Sequence, residues 1–234
     1  MPASRPRSLR RRLEASPLTV LVGLASLALS LPVIVPGGTV LLPALFELRG
    51  GDAATVQPWR LLTGHLVHLS GRQLVLNLAA FLWLGALCEP KMPRRYGSLL
   101  LGSALAVSAG VLLLHPALGA YRGLSGIASA QFAALVVLRL CDTRRRGAAG
   151  AALPLLTLLL FFVKTAYELG TGRGLFTGSL GLAGAGASPA AHLFGALAGL
   201  VVALLPKRSC STHRSSVPEG VDRPLPLIST SRVG

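Results

Sequence analysis

Six apolar stretches, separated by more polar segments, dominate the chain. They cover residues 17–36, 74–87, 98–114, 123–138, 153–166 and 189–205. An apolar run of about 20 residues can cross a bilayer as a helix, and most of these runs come within a few residues of that length. The pattern predicts an all-α membrane protein, a bundle of six transmembrane helices. The fifth stretch is expected to be a short span, with Lys164 and Glu168 at its outer end.

The first apolar stretch follows a basic segment, a combination that also occurs in cleaved signal peptides. It is longer than an ordinary signal-peptide core, and no small-x-small cleavage motif lies close behind it. We therefore expect an uncleaved helix. The predicted organisation is a basic N-terminal segment at 1–16, a membrane domain at 17–206 and a polar, disordered tail at 207–234.

The positive charges predict how the helices are oriented. The chain has 234 residues, of which 52% are hydrophobic and 13% charged, and its net charge is +15. Of its 23 Lys and Arg residues, five, three, four and five fall in the N-terminus, after the second stretch, after the fourth stretch and in the tail. Because cytoplasmic segments are enriched in Lys and Arg, both termini are predicted to be cytoplasmic. Charges distributed this way set topology and form no basic groove, so no nucleic-acid partner is expected.

No metal or cofactor is indicated by the sequence. The three cysteines do not have the spacing of metal ligands. His65 and His68 lie three residues apart, but no carboxylate or third ligand accompanies them and no HExxH motif occurs. We therefore expect a protein that needs neither a metal nor a cofactor.

Two polar residues within the apolar stretches form a candidate catalytic pair. Ser125 opens the fourth stretch between Gly123 and Gly126, and His192 lies near the start of the sixth. On the predicted topology both lie near the outer surface. A histidine that accepts the proton of a serine hydroxyl makes its oxygen nucleophilic. Small residues after each of them, at helical spacing, permit the close helix contact that such a pair requires.

A second group of polar residues lies at the same predicted depth, at the outer end of the second helix. It consists of His68, Gln73 and Asn77. Gln73 and Asn77 are four residues apart and share a helix face. Their amides are candidate donors to the oxyanion of a tetrahedral intermediate. Each residue also has a structural interpretation, since buried Ser, His and Asn side chains commonly pack helices or bond across them.

These residues, taken in order, resemble the rhomboid intramembrane serine proteases. The resemblance rests on Trp59-Arg60, His68, Asn77, Glu89, the GLSG sequence at 123–126, and Ala191-His192 followed by Gly195 and Gly199. It covers residues 59–205. The segments WRLLTGHLVHLS and YRGLSG are most similar to the rhombosortase branch.

The resemblance implies a function and a role for each matching residue. Ser125 corresponds to the nucleophile, His192 to its general base and Asn77 to an oxyanion-hole residue, with Gln73, His68 and Gly123 in support. The implied protein is a serine endopeptidase of the bacterial inner membrane that cleaves membrane-anchored exported proteins near the outer face. The rhombosortase branch further implies cleavage at C-terminal glycine-glycine sorting tails.

Two positions depart from the usual rhomboid pattern. Gln73 stands where a histidine is common in the oxyanion region, and Ser129 stands where many members carry an aromatic residue. An alternative function is therefore a catalytically inactive rhomboid-like protein that binds transmembrane clients. A transporter is disfavoured, because no inverted repeat or pair of broken helices is visible.

Overall fold

The structure, a computed structural model, describes residues 9–34, 41–50, 57–115, 119–143, 148–172, 175 and 188–205. Within these ranges the regular structure is helical, apart from one antiparallel bridge between Leu48 and Tyr121. A short 3-10 turn covers Glu89–Lys91. The α-helices of the described residues are α1 (Leu9–Glu14), α2 (Pro17–Ile34), α3 (Leu41–Phe46), α4 (Arg60–Thr63), α5 (Gly71–Cys88), α6 (Pro93–Leu114), α7 (Ser125–Thr143), α8 (Ala148–Thr171) and α9 (Pro189–Leu204).

Four segments of these helices are long and apolar enough to cross a membrane. They are Gly71–Lys91, Pro93–Leu114, Ser125–Asp142 and Gly150–Thr171. Two further apolar helices, Pro17–Pro32 and Pro189–Leu204, are shorter. The chain is therefore a helical, multi-pass membrane protein, as predicted. The count of six spans and the cytoplasmic location of both termini stay predictions.

Several predicted boundaries are wrong, and the third span, for example, begins at Pro93 instead of at 98. The fifth span is not short, because α8 continues from Ala148 to Thr171 over 24 residues. The predicted span ended near Lys164 and Glu168. In the structure these two residues lie within the helix, one turn apart, and form an ion pair at 2.6 Å. At the fourth span, α7 begins at Ser125 rather than at 123, because Gly123 has a φ of +123°, outside the helical region.

Helix α7 lies at the centre of the bundle. More than half (56%) of its candidate membrane-spanning segment is buried within the protein, against 6% of the corresponding segment of α8. Its small residues Ala130, Ala133 and Ala134 are fully buried, and α5, α6, α8 and α9 all pack against the helix. Helix α8 instead exposes a row of leucines, an arrangement that is stable where the solvent is lipid. The central position of α7 places both ends of the GLSG sequence inside the protein.

A network of buried polar side chains holds α2 against the bundle. The carboxylate of Glu89 accepts hydrogen bonds from the backbone N–H groups of Leu18 and Thr19 and from the Thr19 hydroxyl, at 2.7–3.0 Å. Thr19 Oγ1 also lies 2.7 Å from the hydroxyl oxygen of Tyr96, which accepts from Gln131 at 2.7 Å. A carboxylate is favoured at a helix N-terminus, where backbone N–H groups lack intrahelical acceptors. Glu89, one of the residues on which the resemblance rests, therefore serves as the anchor of α2.

The predicted ends of the chain are described only in part. Helix α1 lies within the basic segment predicted at 1–16. Residues 1–8 and 206–234, and with them the predicted disordered tail, lie outside the described residues. The three-part organisation of the chain therefore stays a prediction.

Candidate active site

The segment that precedes α7 is held by backbone hydrogen bonds from two other parts of the chain. The N–H of Tyr121 donates to Leu48 O at 2.7 Å, and the N–H of Leu48 donates to Tyr121 O at 3.1 Å. The N–H of Gly123 donates to Gly64 O at 3.1 Å. These bonds set the direction in which the chain enters α7, and with it the position of Ser125 at the first turn.

Gly123 has a backbone conformation that other residues adopt at a cost. Its φ of +123° is in the region that glycine alone enters freely. Its carbonyl accepts a hydrogen bond from the Tyr121 hydroxyl at 3.1 Å. Burial raises the pKa of Tyr121, so this hydroxyl stays protonated and available as the donor. The predicted support residue Gly123 therefore lies at a fixed turn directly before the serine.

Three predicted support residues meet at Gly123. A Cβ atom built on this glycine would lie 2.8 Å from Asn77 Nδ2, 3.3 Å from Gln73 Nε2 and 3.7 Å from His68 Cδ2. Asn77 and Gln73 lie on one face of α5, as their spacing predicts. The absence of a side chain at 123 thus leaves room for two amide groups against the backbone before Ser125.

The polar atoms of these three side chains differ in their hydrogen bonding. Gln73 donates from Nε2 to Arg122 O at 3.3 Å and accepts at Oε1 from the N–H of Leu69 at 2.8 Å. His68 Nδ1 bonds with the Ser30 hydroxyl at 3.2 Å. Asn77 Nδ2 and His68 Nε2 are buried and have no hydrogen-bond partner among the described residues. Buried polar atoms without partners are costly, so the occurrence of two of them beside Gly123 calls for an explanation, and a binding or catalytic role is one.

The local fold of α5 explains the orientation of Gln73. Ser70 occupies the N-cap position, and its hydroxyl accepts from the N–H of Gln73 at 3.2 Å. A serine N-cap satisfies one of the free N–H groups of the first turn and fixes where the helix begins. Gln73 is therefore the third residue of the helix, and Asn77 lies one turn further along on the same face.

Helices α7 and α9 contact each other through glycine backbone. A Cβ built on Gly195 would lie only 2.0 Å from Gly126 O, and one on Gly199 only 2.2 Å from Ala130 O. One on Gly126 would lie 3.0 Å from Ala191 O. The close contact predicted from the small residues of the two stretches is confirmed, and it requires the absence of side chains on α9.

This contact determines where the candidate dyad residues lie. Ser125 directly precedes Gly126, and His192 directly follows Ala191, so the two residues lie at the same crossing of α7 and α9. Both are half-buried. In the part of the chain that the structure describes, no hydrogen bond joins Ser125 to His192; the Ser125 carbonyl accepts from Ser129 Oγ at 2.9 Å.

Several residues near this crossing were not identified from the sequence. The Lys164–Glu168 pair of α8 interacts electrostatically with His192. Arg122 forms an ion pair with Glu47, 75 residues away. The sequence showed that Arg122 and Lys164 are cations outside the four basic clusters and that Lys164 lies one helical turn from Glu168. It did not reveal that Arg122 pairs with Glu47 or that the Lys164–Glu168 pair interacts with His192.

The described residues contain no cluster of three His, Cys, Asp or Glu side chains that could hold a metal ion. His65, which shares a loop with His68, uses Nε2 to contact Ala104 O at 2.9 Å and Ser108 Oγ at 3.1 Å. This places the two histidines in different roles. His65 fastens its loop to α6, and His68 faces Gly123.

The chain matches a known family over most of its length. The family model of the rhomboid domain matches residues 55–208, which is more than half of the 234 residues and includes α4 to α9. None of the curated proteins matches the sequence significantly. Rhomboid proteins are generally intramembrane serine proteases that act on membrane-protein substrates within the bilayer. On the evidence of this match and of its apolar helices, the chain belongs to the rhomboid family.

Proposed function

We propose that this protein is an intramembrane serine endopeptidase in which Ser125 is the nucleophile and His192 the general base. The observation that carries the proposal is the close approach of Gly126 to the Ala191 carbonyl and to Gly195, because Ser125 is adjacent to Gly126 and His192 is adjacent to Ala191. The rhomboid domain match supports the reaction class. Both residues are half-buried, so neither is sealed within the protein.

The chemistry assigned to the pair begins with proton transfer. His192 accepts the hydroxyl proton of Ser125 as the serine oxygen attacks a peptide carbonyl carbon. The tetrahedral intermediate collapses, the carbon–nitrogen bond breaks, and the leaving amine takes the proton from His192. A water molecule, deprotonated in turn by His192, then hydrolyses the acyl-enzyme and restores the serine.

The negative charge that develops on the carbonyl oxygen needs donors in fixed positions. Asn77 Nδ2 is the leading candidate, because it is buried, unpartnered among the described residues and directed at Gly123. His68 Nε2 is a second candidate only in the tautomer with its proton on Nε2, which requires the Ser30 hydroxyl to donate to His68 Nδ1 instead of to Leu66 O. Gln73 uses one of its two N–H groups to hold the Arg122 carbonyl, so we assign it a supporting role.

The proposal extends to topology and substrate. It includes six transmembrane helices with both termini in the cytoplasm of a bacterial cell, so that the site lies near the outer face of the inner membrane. This part is supported by the distribution of Lys and Arg. Cleavage of exported proteins at C-terminal glycine-glycine tails is supported by the likeness of WRLLTGHLVHLS and YRGLSG to rhombosortases.

The direct test is labelling of detergent-solubilised protein with a fluorophosphonate, which reacts covalently with an activated serine. We expect labelling of wild type and none in Ser125→Ala or His192→Ala. Ser103→Ala is the matched control, because Ser103 is a buried helical serine that bonds to Leu100 O at 3.1 Å, and it should label like wild type. Folded wild-type protein that does not label would refute the proposal in favour of an inactive, client-binding rhomboid.

Substrate preference is tested separately. A membrane-anchored reporter with a C-terminal glycine-glycine tail should be cleaved by wild type and not by Ser125→Ala. A reporter with alanine-alanine at the same positions is the control. Equal cleavage of both reporters would contradict the rhombosortase assignment and leave the protease assignment intact.

A further inference from the structure

Arg122 lies three residues before Ser125 and makes two contacts to different parts of the chain. Its side chain is 11% exposed and forms an ion pair with the carboxylate of Glu47, through both Nε and Nη2. Its backbone carbonyl accepts the hydrogen bond from Gln73 Nε2 at 3.3 Å. One residue therefore connects an acidic side chain that follows α3 to the amide that lies beside the candidate oxyanion site.

Glu47 is itself held in place by its neighbours. Its side chain is 3% exposed, and its backbone carbonyl accepts from Arg60 Nη1 at 2.7 Å. The next residue, Leu48, forms the backbone bridge with Tyr121. A second cation, Arg49, also contacts the Glu47 carboxylate at 2.6 Å, but its side chain is 47% exposed. Glu47 is therefore a fixed, buried anion to which Arg122 is bound.

The segment that Arg122 holds is conformationally demanding. It continues directly into Gly123, whose φ of +123° orients the chain before Ser125 and leaves space for Asn77 Nδ2. A rotation of the peptide after Arg122 would turn its carbonyl away from Gln73 and change the approach of the backbone to Asn77. A charge-assisted pair at this point opposes such a rotation, because a buried arginine that contacts a carboxylate through two nitrogens has a defined geometry.

We propose that the Glu47–Arg122 ion pair positions the segment before Ser125, so that the serine hydroxyl and the Gln73 and Asn77 amides keep their reacting geometry. Arg122 and Glu47 are positioning residues, since neither is required to touch substrate. The inference rests on the proposed protease function. It predicts that loss of the pair slows the acylation of Ser125 more than it weakens binding of the reagent.

The test compares the kinetics of fluorophosphonate labelling among variants of the full-length protein. The rate constant at saturating probe reports the chemical step, and the probe concentration at half-maximal rate reports binding. We expect Arg122→Gln and Glu47→Gln to lower the saturating rate about 10- to 100-fold, the range that small misplacements of reacting groups produce. The half-maximal concentration should change less than about threefold.

Arg49→Gln is the matched control, because Arg49 contacts the same carboxylate but not the segment before Ser125. Its saturating rate should stay within about twofold of wild type. Because Arg122 and Glu47 act as a unit, the double variant should be no slower than the worse single variant. Arg122→Lys keeps the charge and loses the planar two-nitrogen contact, so it should recover part of the rate. It replaces Arg122→Gln in the comparison if that variant does not fold.

The outcomes separate the two proposals. If wild type labels, and Arg122→Gln, Arg122→Lys and Arg49→Gln all reach its saturating rate, the positioning role is overturned. The protease function is left intact by that result. A lower melting temperature with an unchanged rate per folded molecule would also overturn it, because the pair would then be structural only. Absence of labelling in folded wild type would overturn both proposals.

Discussion

The contact between α7 and α9 makes Gly195→Ala the sharpest test of how the structure arranges the site. The added Cβ would lie 2.0 Å from Gly126 O, 2.8 Å from Gly126 C and 3.2 Å from Gly126 Cα. All three are backbone atoms, so no side chain can rotate away. Ordinary contact begins at 3.4 Å, and the two helices must therefore separate by about 1.4 Å at this point.

The expected cost follows from two opposing effects. Overpacking of a well-packed contact costs about 1–3 kcal/mol. Alanine is a better helix former than glycine, and this offsets up to about 1 kcal/mol. We expect a net loss of about 1–2 kcal/mol in the free energy of unfolding. The larger effect should be on activity, because a displacement of about 1 Å between reacting groups can reduce a rate about 100-fold.

The assay combines thermal unfolding in detergent with fluorophosphonate labelling rates. Gly102→Ala is the control, because a Cβ on Gly102 would meet no atom within 4 Å. It should unfold at a slightly higher temperature and label normally. Gly199→Ala, whose Cβ would lie 2.2 Å from Ala130 O but further along α9 from His192, should lose similar stability and less activity.

Two results would refute this reasoning. If Gly195→Ala had the melting temperature and labelling rate of wild type, the backbone contact would not exist as described. If Gly102→Ala were as damaging as Gly195→Ala, the effect would come from loss of glycine in general and not from the helix crossing.

Two further predictions concern the support residues. Asn77→Ala should reduce the labelling rate about 100- to 1000-fold, the usual effect of losing an oxyanion donor. Its melting temperature should change little, because Asn77 Nδ2 has no partner among the described residues. A normal labelling rate would remove Asn77 from the mechanism. Glu89→Gln should destabilise the protein by about 1–3 kcal/mol in thermal unfolding, since one amide oxygen cannot accept all three hydrogen bonds from Leu18 and Thr19. Its labelling rate per folded molecule should be unchanged, because Glu89 follows the end of α5 and lies about 24 Å from Gln73 along that helix. A slow but fully stable variant would contradict the assignment of Glu89 as a structural anchor.

Much of the architecture follows from local properties of the chain. The apolar runs predict the spans, because a bilayer requires every backbone group within it to be bonded internally and helices do this locally. Small residues at Gly195 and Gly199 predict a close helix contact, because only glycine backbone can approach so near. The alignment of Gln73 and Asn77 follows from helical spacing alone. Each of these properties concerns residues within a few positions of one another.

The partners across the bundle could not be predicted in the same way. In a membrane protein, lipid-facing and core-facing positions are both apolar, so periodicity does not reveal which face of α7 meets α9. The pairing of Glu47 with Arg122 and of Glu89 with Thr19 joins residues 75 and 70 positions apart. The positive φ of Gly123, the convergence of His68, Gln73 and Asn77 upon it, and the contact of Gly126 with Ala191 and Gly195 depend on how whole helices pack. The sequence by itself determined which polar residues are candidates for chemistry in a membrane. Only the tertiary structure decided which of their helices and loops lie together, because that depends on contacts between distant segments.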